Sequence, residues 1–258
     1  MTKLVDYRVE GGAAHVRLDS PHNRNALSSA LVEQLHAGLE RAVADPAVRV
    51  VVLGHTGGTF CAGADLGENS AGDPHDTALA RAVEMAALLR AVVACPLPVV
   101  GAVDGHVRAG GLGLVGACDI VVAGPASTFA LTEARIGVAP AIISMTLLPK
   151  LTPRAAGRYY LTGETFTAAI AAQIGLVTMA AEEVDAAVAA VVADLAKASP
   201  QGLAASKALT TAAVLAGFDA DADRLARESA QLFVSEQAQE GMLAFLEKRR
   251  PRWVDSVR

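Results

Sequence analysis

Two short stretches of this chain have the residue types that can hold charge on a bound molecule without any charged side chain. They are Thr59-Phe60-Cys61-Ala62-Gly63-Ala64-Asp65-Leu66 and Ala109-Gly110-Gly111-Leu112-Gly113, Gly- and Ala-rich turns each followed by residues able to start a helix. Backbone N–H groups at such turns lack intrahelical partners, and the helix dipole favours negative charge there. Two such turns converging on one atom could aim two N–H donors at a single thioester oxygen, the requirement for stabilising an acyl-CoA enolate. Either turn alone is equally what an α/β protein uses to tighten a corner. The chemical reading rests on their pairing, order and flanks.

A second polar feature near the later turn is His106, which could transfer protons at neutral pH. A lone His with no carboxylate partner in view is first a hydrogen-bonded wall residue. His15, His22, His36, His55 and His75 fall on strand, loop or helix faces without a partner pattern and receive no role.

These turns must be positioned by strands and helices whose pattern is legible. Val5 to Leu18 reads as a hairpin around Gly11-Gly12. Ser28 can cap a helix presenting Leu31, Leu35, Leu39 and Val43, ended by Asp45-Pro46. Val50 to Gly54 is a buried strand entering the first turn. A polar stretch, Gly67 to Asp76, reads as mobile, and Leu79 to Cys95 as a helix stopped by Pro96 and Pro98. Val99 to Val103 is a strand feeding the second turn, Leu112 to Cys118 a helix, and Ile120 to Ala123 a further strand. This rhythm implies stacked β-β-α units. From Thr152-Pro153 onward the pattern is almost wholly helical, and the last sixty or so residues read as helices that need a partner surface.

Composition sets the class. With 258 residues, 52% apolar and 19% charged, the chain can bury one substantial core with a helical appendage. A net charge of −5 and 4% aromatics leave no basic, stacking face for nucleic acid and no field for an anionic membrane. The basic run Lys248-Arg249-Arg250-Pro251-Arg252 is either solvated surface or a neutraliser of a phosphate-bearing ligand. Three scattered cysteines, Cys61, Cys95 and Cys118, fit buried thiols in a reducing compartment rather than disulfides or zinc. No signal-type start and no membrane-spanning apolar run are visible, so a cytoplasmic location is expected. Without a His/Cys ligand cluster or a dinucleotide fingerprint, no metal, flavin or nicotinamide is expected.

Taken in order, the motifs resemble the crotonase, or enoyl-CoA hydratase/isomerase, superfamily over nearly the whole chain. The matching pieces are Asn25-Ala26-Leu27, Phe60 to Leu66, Ala102-Val103-Asp104-Gly105, Gly110-Gly111, Ala117-Cys118-Asp119-Ile120 and Glu133 to Pro140. Later matches are Leu161-Thr162-Gly163, Ala171 to Val177 and Phe245 to Arg249. The resemblance implies an α/β crotonase-like spiral of β-β-α units over residues 1–199 and a helical trimerisation region over 200–258. It implies a homotrimer or a hexamer built as a dimer of trimers, an acyl-CoA substrate, and no cofactor apart from the coenzyme A of that substrate. The oxyanion donors would be the N–H groups of Ala64 and Gly110. CoA contacts would come from Arg24, Ala26, Ala62, Ala64, Asp65 and Leu66, completed by Phe245 and Lys248 of the same chain or of a neighbouring subunit. Asp65 is also a residue that bonds its own turn.

The same resemblance implies two glutamates in hydratases, holding one water between them. The second is present as Glu133; the first should stand three residues after Gly110, where this chain has Gly113. One carboxylate can shuttle a proton between α and γ carbons, as in enoyl-CoA isomerases, or activate water as base and then protonate the α carbon. Gly113 to Asp119 together with Val138 to Ser144 resembles methylglutaconyl-CoA hydratase-type members, which favours hydration. Arg108 is then a candidate partner for a carboxylate on the acyl tail, or a residue pointing to solvent or to CoA phosphates. Glu133 could also serve only as a helix-terminal carboxylate, and a crotonase-like protein that binds acyl-CoA without turnover is the alternative from another class.

Overall fold

The computed structural model describes residues 2–65, 67 and 72–255. Strands β1 (Val5–Glu10) and β2 (Ala13–Leu18) form the expected antiparallel hairpin, its turn made by Gly11 and Gly12 at φ +57° and +81°, a conformation matched to two-residue hairpins. Helix α1 (Ser29–Ala44) begins where Ser28 accepts a hydrogen bond from the Leu31 N–H. Leu31, Leu35 and Leu39 are buried as expected, but Val43 is 47% exposed and Ala42 is fully buried. Each i,i+4 step overshoots a turn by about 40°, so three steps carry Val43 round to solvent.

Strand β3 (Val50–His55) leads into β4 (Thr59–Cys61) and helix α2 (Pro74–Ala94). The helix starts earlier than its apolar pattern predicts, because Asp73 accepts hydrogen bonds from the N–H groups of His75 and Asp76 and Pro74 sits at its first turn. Residues 68–71 of the polar stretch read as mobile lie outside the described residues, and the stretch ends in the start of α2. The next units are β5 (Val99–Val103), β6 (His106–Arg108) and α3 (Gly110–Ala117), then β7 (Ile120–Ala123), β8 (Thr128–Ala130) and a 3-10 turn, Glu133–Ile136. A short α4 (Ser144–Leu147), α5 (Pro153–Thr162), β9 (Phe166–Thr167), α6 (Ala168–Gln173), β10 (Met179–Ala180) and α7 (Val184–Leu195) follow. The chain closes with α8 (Pro200–Phe233), α9 (Glu236–Leu246) and α10 (Arg252–Asp255).

Two sheets result. The larger runs β1-β2-β3-β5-β7-β10 and is parallel apart from the hairpin. Val51 and Leu53 of β3 face the main core, while Val50 and Val52 pack with Val100, Val122 and Val188 under α7, so both faces are covered and the strand reads as a continuous apolar run. The smaller sheet runs β4-β6-β8-β9. Its first three members each follow a strand of the larger sheet after a short corner, which realises the β-β-α rhythm of the sequence. These strands are only three residues long, too short for a periodicity to announce them.

The C-terminal helices pack back on this frame. Phe218 and Ala226 of α8 join the main core. Buried Lys207 pairs with Asp119 at 2.8 Å and donates to the carbonyls of Val92 and Leu97, tying α8 to the end of α2 and the loop that follows it. A side chain on Gly137 would lie 2.6 Å from the Gln237 backbone, and one on Gly241 2.5 Å from the Ile136 carbonyl, so α9 seats backbone to backbone on the 3-10 turn that bears Glu133.

Candidate active site

The first turn is set by Leu27 and Asn25. The Leu27 N–H donates to the Gly63 carbonyl (2.8 Å) and the Asp65 N–H to the Leu27 carbonyl (3.2 Å), a parallel bridge centred on Ala64. Because successive amides of an extended segment alternate sides, the Ala64 N–H faces away from Leu27. Asn25, fully buried at φ +53°, accepts from the Ser20 N–H (2.7 Å) and donates to the carbonyls of Thr56 (3.0 Å) and Thr59 (2.8 Å). One amide thus fastens the loop before α1 to both ends of the segment entering β4.

The second turn is strained. Ala109 sits at φ +46°, ψ −120°, a region that residues with a Cβ rarely occupy, and Gly110 is the first residue of α3. A Cβ on Gly63 would lie 2.8 Å from the Ala109 Cβ and 3.4 Å from the Gly110 nitrogen, so the two turns are in contact. Pairing of β4 with β6, Thr59 with His106 and Cys61 with Val107, brings them together. Gly111 must lack a side chain because a Cβ there would meet the Cys61 carbonyl at 2.8 Å. Among the described residues, the Ala64 and Gly110 N–H groups have no hydrogen-bond partner.

Glu133 arrives from the third unit. β8 pairs with β6, so β4, β6 and β8 lie side by side and lead respectively to Ala64, Gly110 and Glu133. Glu133 is 8% exposed, and its Oε2 has no partner among the described residues. Burial disfavours the charged form and pushes its carboxyl up to about 7, poised to take and return a proton near neutrality.

The position of the first glutamate is closed. A Cβ on Gly113 would lie 2.6 Å from Ile143 Cγ2 and 3.1 Å from Leu89 Cδ1. α4 is drawn onto α3 there, with Thr146 Oγ1 donating to the Gly113 carbonyl at 3.0 Å.

The remaining candidates divide. Asp65 Oδ1 accepts from the Gly67 N–H (2.9 Å), the local bonding expected of it, and Oδ2 accepts from Asn23 of the loop before α1 (3.2 Å). Arg24 is exposed at φ +59°, its carbonyl accepting from the Ala62 N–H (3.1 Å); Ala26 is buried and Ala62 half-buried beside it. Leu66 lies outside the described residues. Phe245, 61% exposed, and Lys248, exposed at φ +54°, stand at the end of α9. Arg108 donates to the Val107 and Thr128 carbonyls (2.8 and 2.7 Å) and to Thr128 Oγ1 (2.9 Å), and burial lowers its pKa. Exposed His106 bonds the same Thr128 hydroxyl at 2.8 Å. Both residues lie on the sheet face opposite buried Val107, held to β8 rather than gathered with Glu133.

Sequence reasoning missed Asn25 as the clamp of the first turn, although its motif was visible; a polar residue directly before the apolar pair Ala26-Leu27 was the available signal. It also missed Tyr160, whose hydroxyl donates to Ser144 Oγ at 3.2 Å and which lies close enough to Glu133 to feel its charge. Among the described residues, Asp73, His75 and Asp76 form a group close enough to hold a metal, but all three are exposed and Asp73 Oδ1 is engaged in capping α2.

Residues 8–256 match the model of one family, Enoyl-CoA hydratase/isomerase, and the chain belongs to that family, whose members act on acyl-CoA thioesters. It is 68% identical to an enoyl-CoA hydratase of Mycobacterium avium of known crystal structure, with a TM-score of 0.93 and coverage of 98% of this chain and 100% of that one. A carnitinyl-CoA hydratase from Mycobacterium avium shares 30% identity and a TM-score of 0.85, over 98% and 99% of the two chains. A Rhodobacter capsulatus protein named "Probable enoyl-CoA hydratase" is 35% identical over 96% of this chain and 97% of its own length. The fold is the crotonase fold, with its C-terminal helical region in α8 and α9. No helix among the described residues is long and apolar enough to cross a membrane.

Proposed function

We propose that the chain reversibly hydrates an α,β-unsaturated acyl-CoA with Glu133 as its single acid/base and the N–H groups of Ala64 and Gly110 as oxyanion donors. The observation that carries this reading is the convergence of β4, β6 and β8, which delivers two unpartnered N–H groups and one buried, unpartnered carboxyl to neighbouring strand ends. In the forward direction the Glu133 carboxylate takes a proton from water as the water oxygen bonds to the β carbon. The π electrons move onto the thioester oxygen, where the two N–H groups hold the enolate. Protonated Glu133 then returns the proton to the α carbon.

The acyl group is proposed to be branched or methylglutaconyl-type, supported by the Pro140-Ala141-Ile142-Ile143-Ser144 segment, in which Ile143 narrows the space beside Gly113. CoA is assigned to Arg24, Ala26, Ala62, Ala64, Asp65 and Leu66, with Phe245 and Lys248 completing the site. Arg108 and His106 are bound to Thr128, so a role in holding an acyl carboxylate would require Arg108 to turn. Residues 200–258 are proposed as the assembly region of a cytoplasmic trimer or hexamer; exposed Leu209, Leu243, Phe245 and Leu246 support this.

The closed position at Gly113 favours one further reading, a Δ3-Δ2 enoyl-CoA isomerase that needs only Glu133. Following conjugated thioester absorbance with 2-enoyl-, 3-enoyl- and methylglutaconyl-CoA, beside Glu133→Gln, separates them. Loss of absorbance from a 2-enoyl or methylglutaconyl thioester, abolished in the variant, is the expected result. A gain from the 3-enoyl substrate alone makes the protein an isomerase, and silence with retained CoA-ester binding makes it a binding protein.

A further inference from the structure

Hydration with one carboxylate leaves the water held at one point only, and a second polar anchor must fix its lone pair toward the β carbon. It must stand beside Glu133, be sheltered from bulk solvent and accept a hydrogen bond. Tyr160 and Ser144 meet these conditions. The last turn of α5, which carries Tyr160, is latched to the turn carrying Glu133: Arg135 Nε donates to the Thr162 carbonyl at 2.9 Å, and a Cβ on Gly163 would lie 2.9 Å from the Leu131 carbonyl. Ser144 follows Ile143, the residue that fills the space of the missing glutamate. Both side chains are half-buried. Burial, and to a lesser degree the nearby Glu133, push the Tyr160 phenol up to about 12, so it stays protonated near neutrality.

The directions of these hydrogen bonds follow from chemistry alone. The Pro140 carbonyl can only accept, so the Ser144 hydroxyl donates to it at 2.6 Å. Ser144 Oγ must then accept at 3.2 Å from the Tyr160 hydroxyl. The Tyr160 oxygen is left with its proton committed and its lone pairs open. It presents an acceptor, the capacity a second carboxylate would supply.

Resting on the hydration reading, we propose that Tyr160 accepts one proton of the attacking water while Glu133 accepts the other, and that Ser144 is a positioning residue that fixes the Tyr160 lone pairs. Only the proton facing Glu133 is transferred, and Tyr160 remains neutral throughout. The second acceptor of the site is then a tyrosine oxygen.

The test compares Tyr160→Phe, Ser144→Ala, Ser144→Thr and Glu133→Gln in two assays: hydration of the 2-enoyl-CoA turned over best, and exchange of the α proton of butyryl-CoA in deuterium oxide. Exchange needs Glu133 and the oxyanion donors but no positioned water. Tyr160→Phe is expected to lower kcat for hydration by roughly 10²-fold with KM and the exchange rate nearly unchanged. Ser144→Ala should show a smaller loss of the same kind that Ser144→Thr restores, and Glu133→Gln should lose both activities. Equal loss of hydration and exchange in Tyr160→Phe would reduce Tyr160 to support for Glu133 and overturn the proposal, as would hydration within twofold of wild type. Wild-type protein that exchanges the α proton but hydrates none of the panel would overturn the hydration reading itself, and the proposal with it.

Discussion

Ile143 stands in the space that a side chain at position 113 would need, its Cγ2 2.6 Å from where a Cβ would be built. The missing glutamate is therefore a repacked site: α4 has closed on α3, and Ile143 seals the gap. Substituting Gly113→Ala should destabilise the protein by about 1–3 kcal/mol through overpacking, outweighing the roughly 1 kcal/mol that Ala gains over Gly in a helix. Ile143→Ala alone leaves a cavity costing about 2–5 kcal/mol. The double variant should lose less than the sum, by about 1 kcal/mol or more in urea melts. Strict additivity would show that the two side chains do not share one space.

Glu133→Gln separates stability from activity. The folded-state pKa, about 7, lies above the ordinary value of 4.5, so the folded protein binds the extra proton and its stability falls as pH rises between those values. At about 1.4 kcal/mol per unit this costs roughly 3 kcal/mol above pH 7, which the neutral amide does not incur. The variant should therefore melt higher than wild type at pH 8 and about equally at pH 4.5, while losing turnover. Wild-type kcat/KM for hydration should decline tenfold per pH unit below about 7, as the base becomes protonated. Equal melting offsets at both pH values would show that Glu133 is not buried as a titrating acid.

What the sequence disclosed follows from the length of each signal. Long periodic elements such as α1 and the apolar runs of β3, β5 and β7 were readable, and so were the two Gly/Ala turns. β4, β6 and β8 are three-residue strands with no pattern of their own, yet they place the site. Gly113 was visible as a departure from a motif, but its cause lies in Ile143, brought to it only by the packing of α4. Arg108 and His106, suspicious by proximity to the second turn, turned out to share Thr128 because alternation along β6 puts them on one face.

Asn25 holds three backbone groups from two segments, the loop before α1 and the turn entering β4. Asn25→Ala strands two carbonyls and one N–H and leaves a Cβ residue at φ +53° that lacks the local bonding of Asn. A loss of about 3 kcal/mol or more is expected in chemical denaturation, with KM for acyl-CoA raised because the Ala62–Ala64 edge is released. Asn25→Asp should fare no better, since it keeps the acceptor and removes both donors. An Asp variant as stable as wild type would argue against the clamp.

Ala109 carries a cost that the second turn exacts for aiming the Gly110 N–H. At φ +46°, ψ −120° a residue with a Cβ is strained by about 1–3 kcal/mol, and Gly is not. Against that relief stands the greater freedom of Gly in the unfolded chain, about 0.4–1 kcal/mol. The relief outweighs that freedom, so Ala109→Gly should raise stability by about 1 kcal/mol. It should also loosen the turn, since the Ala109 methyl packs over Gly63 and holds the two turns in register. Acyl-CoA turnover is then expected to fall several-fold while the melting temperature rises, because a donor displaced by a fraction of an ångström stabilises the enolate less well. A variant with lower stability would place Ala109 in an unstrained conformation. One that is more stable with full turnover would show that the methyl plays no part in holding the donor.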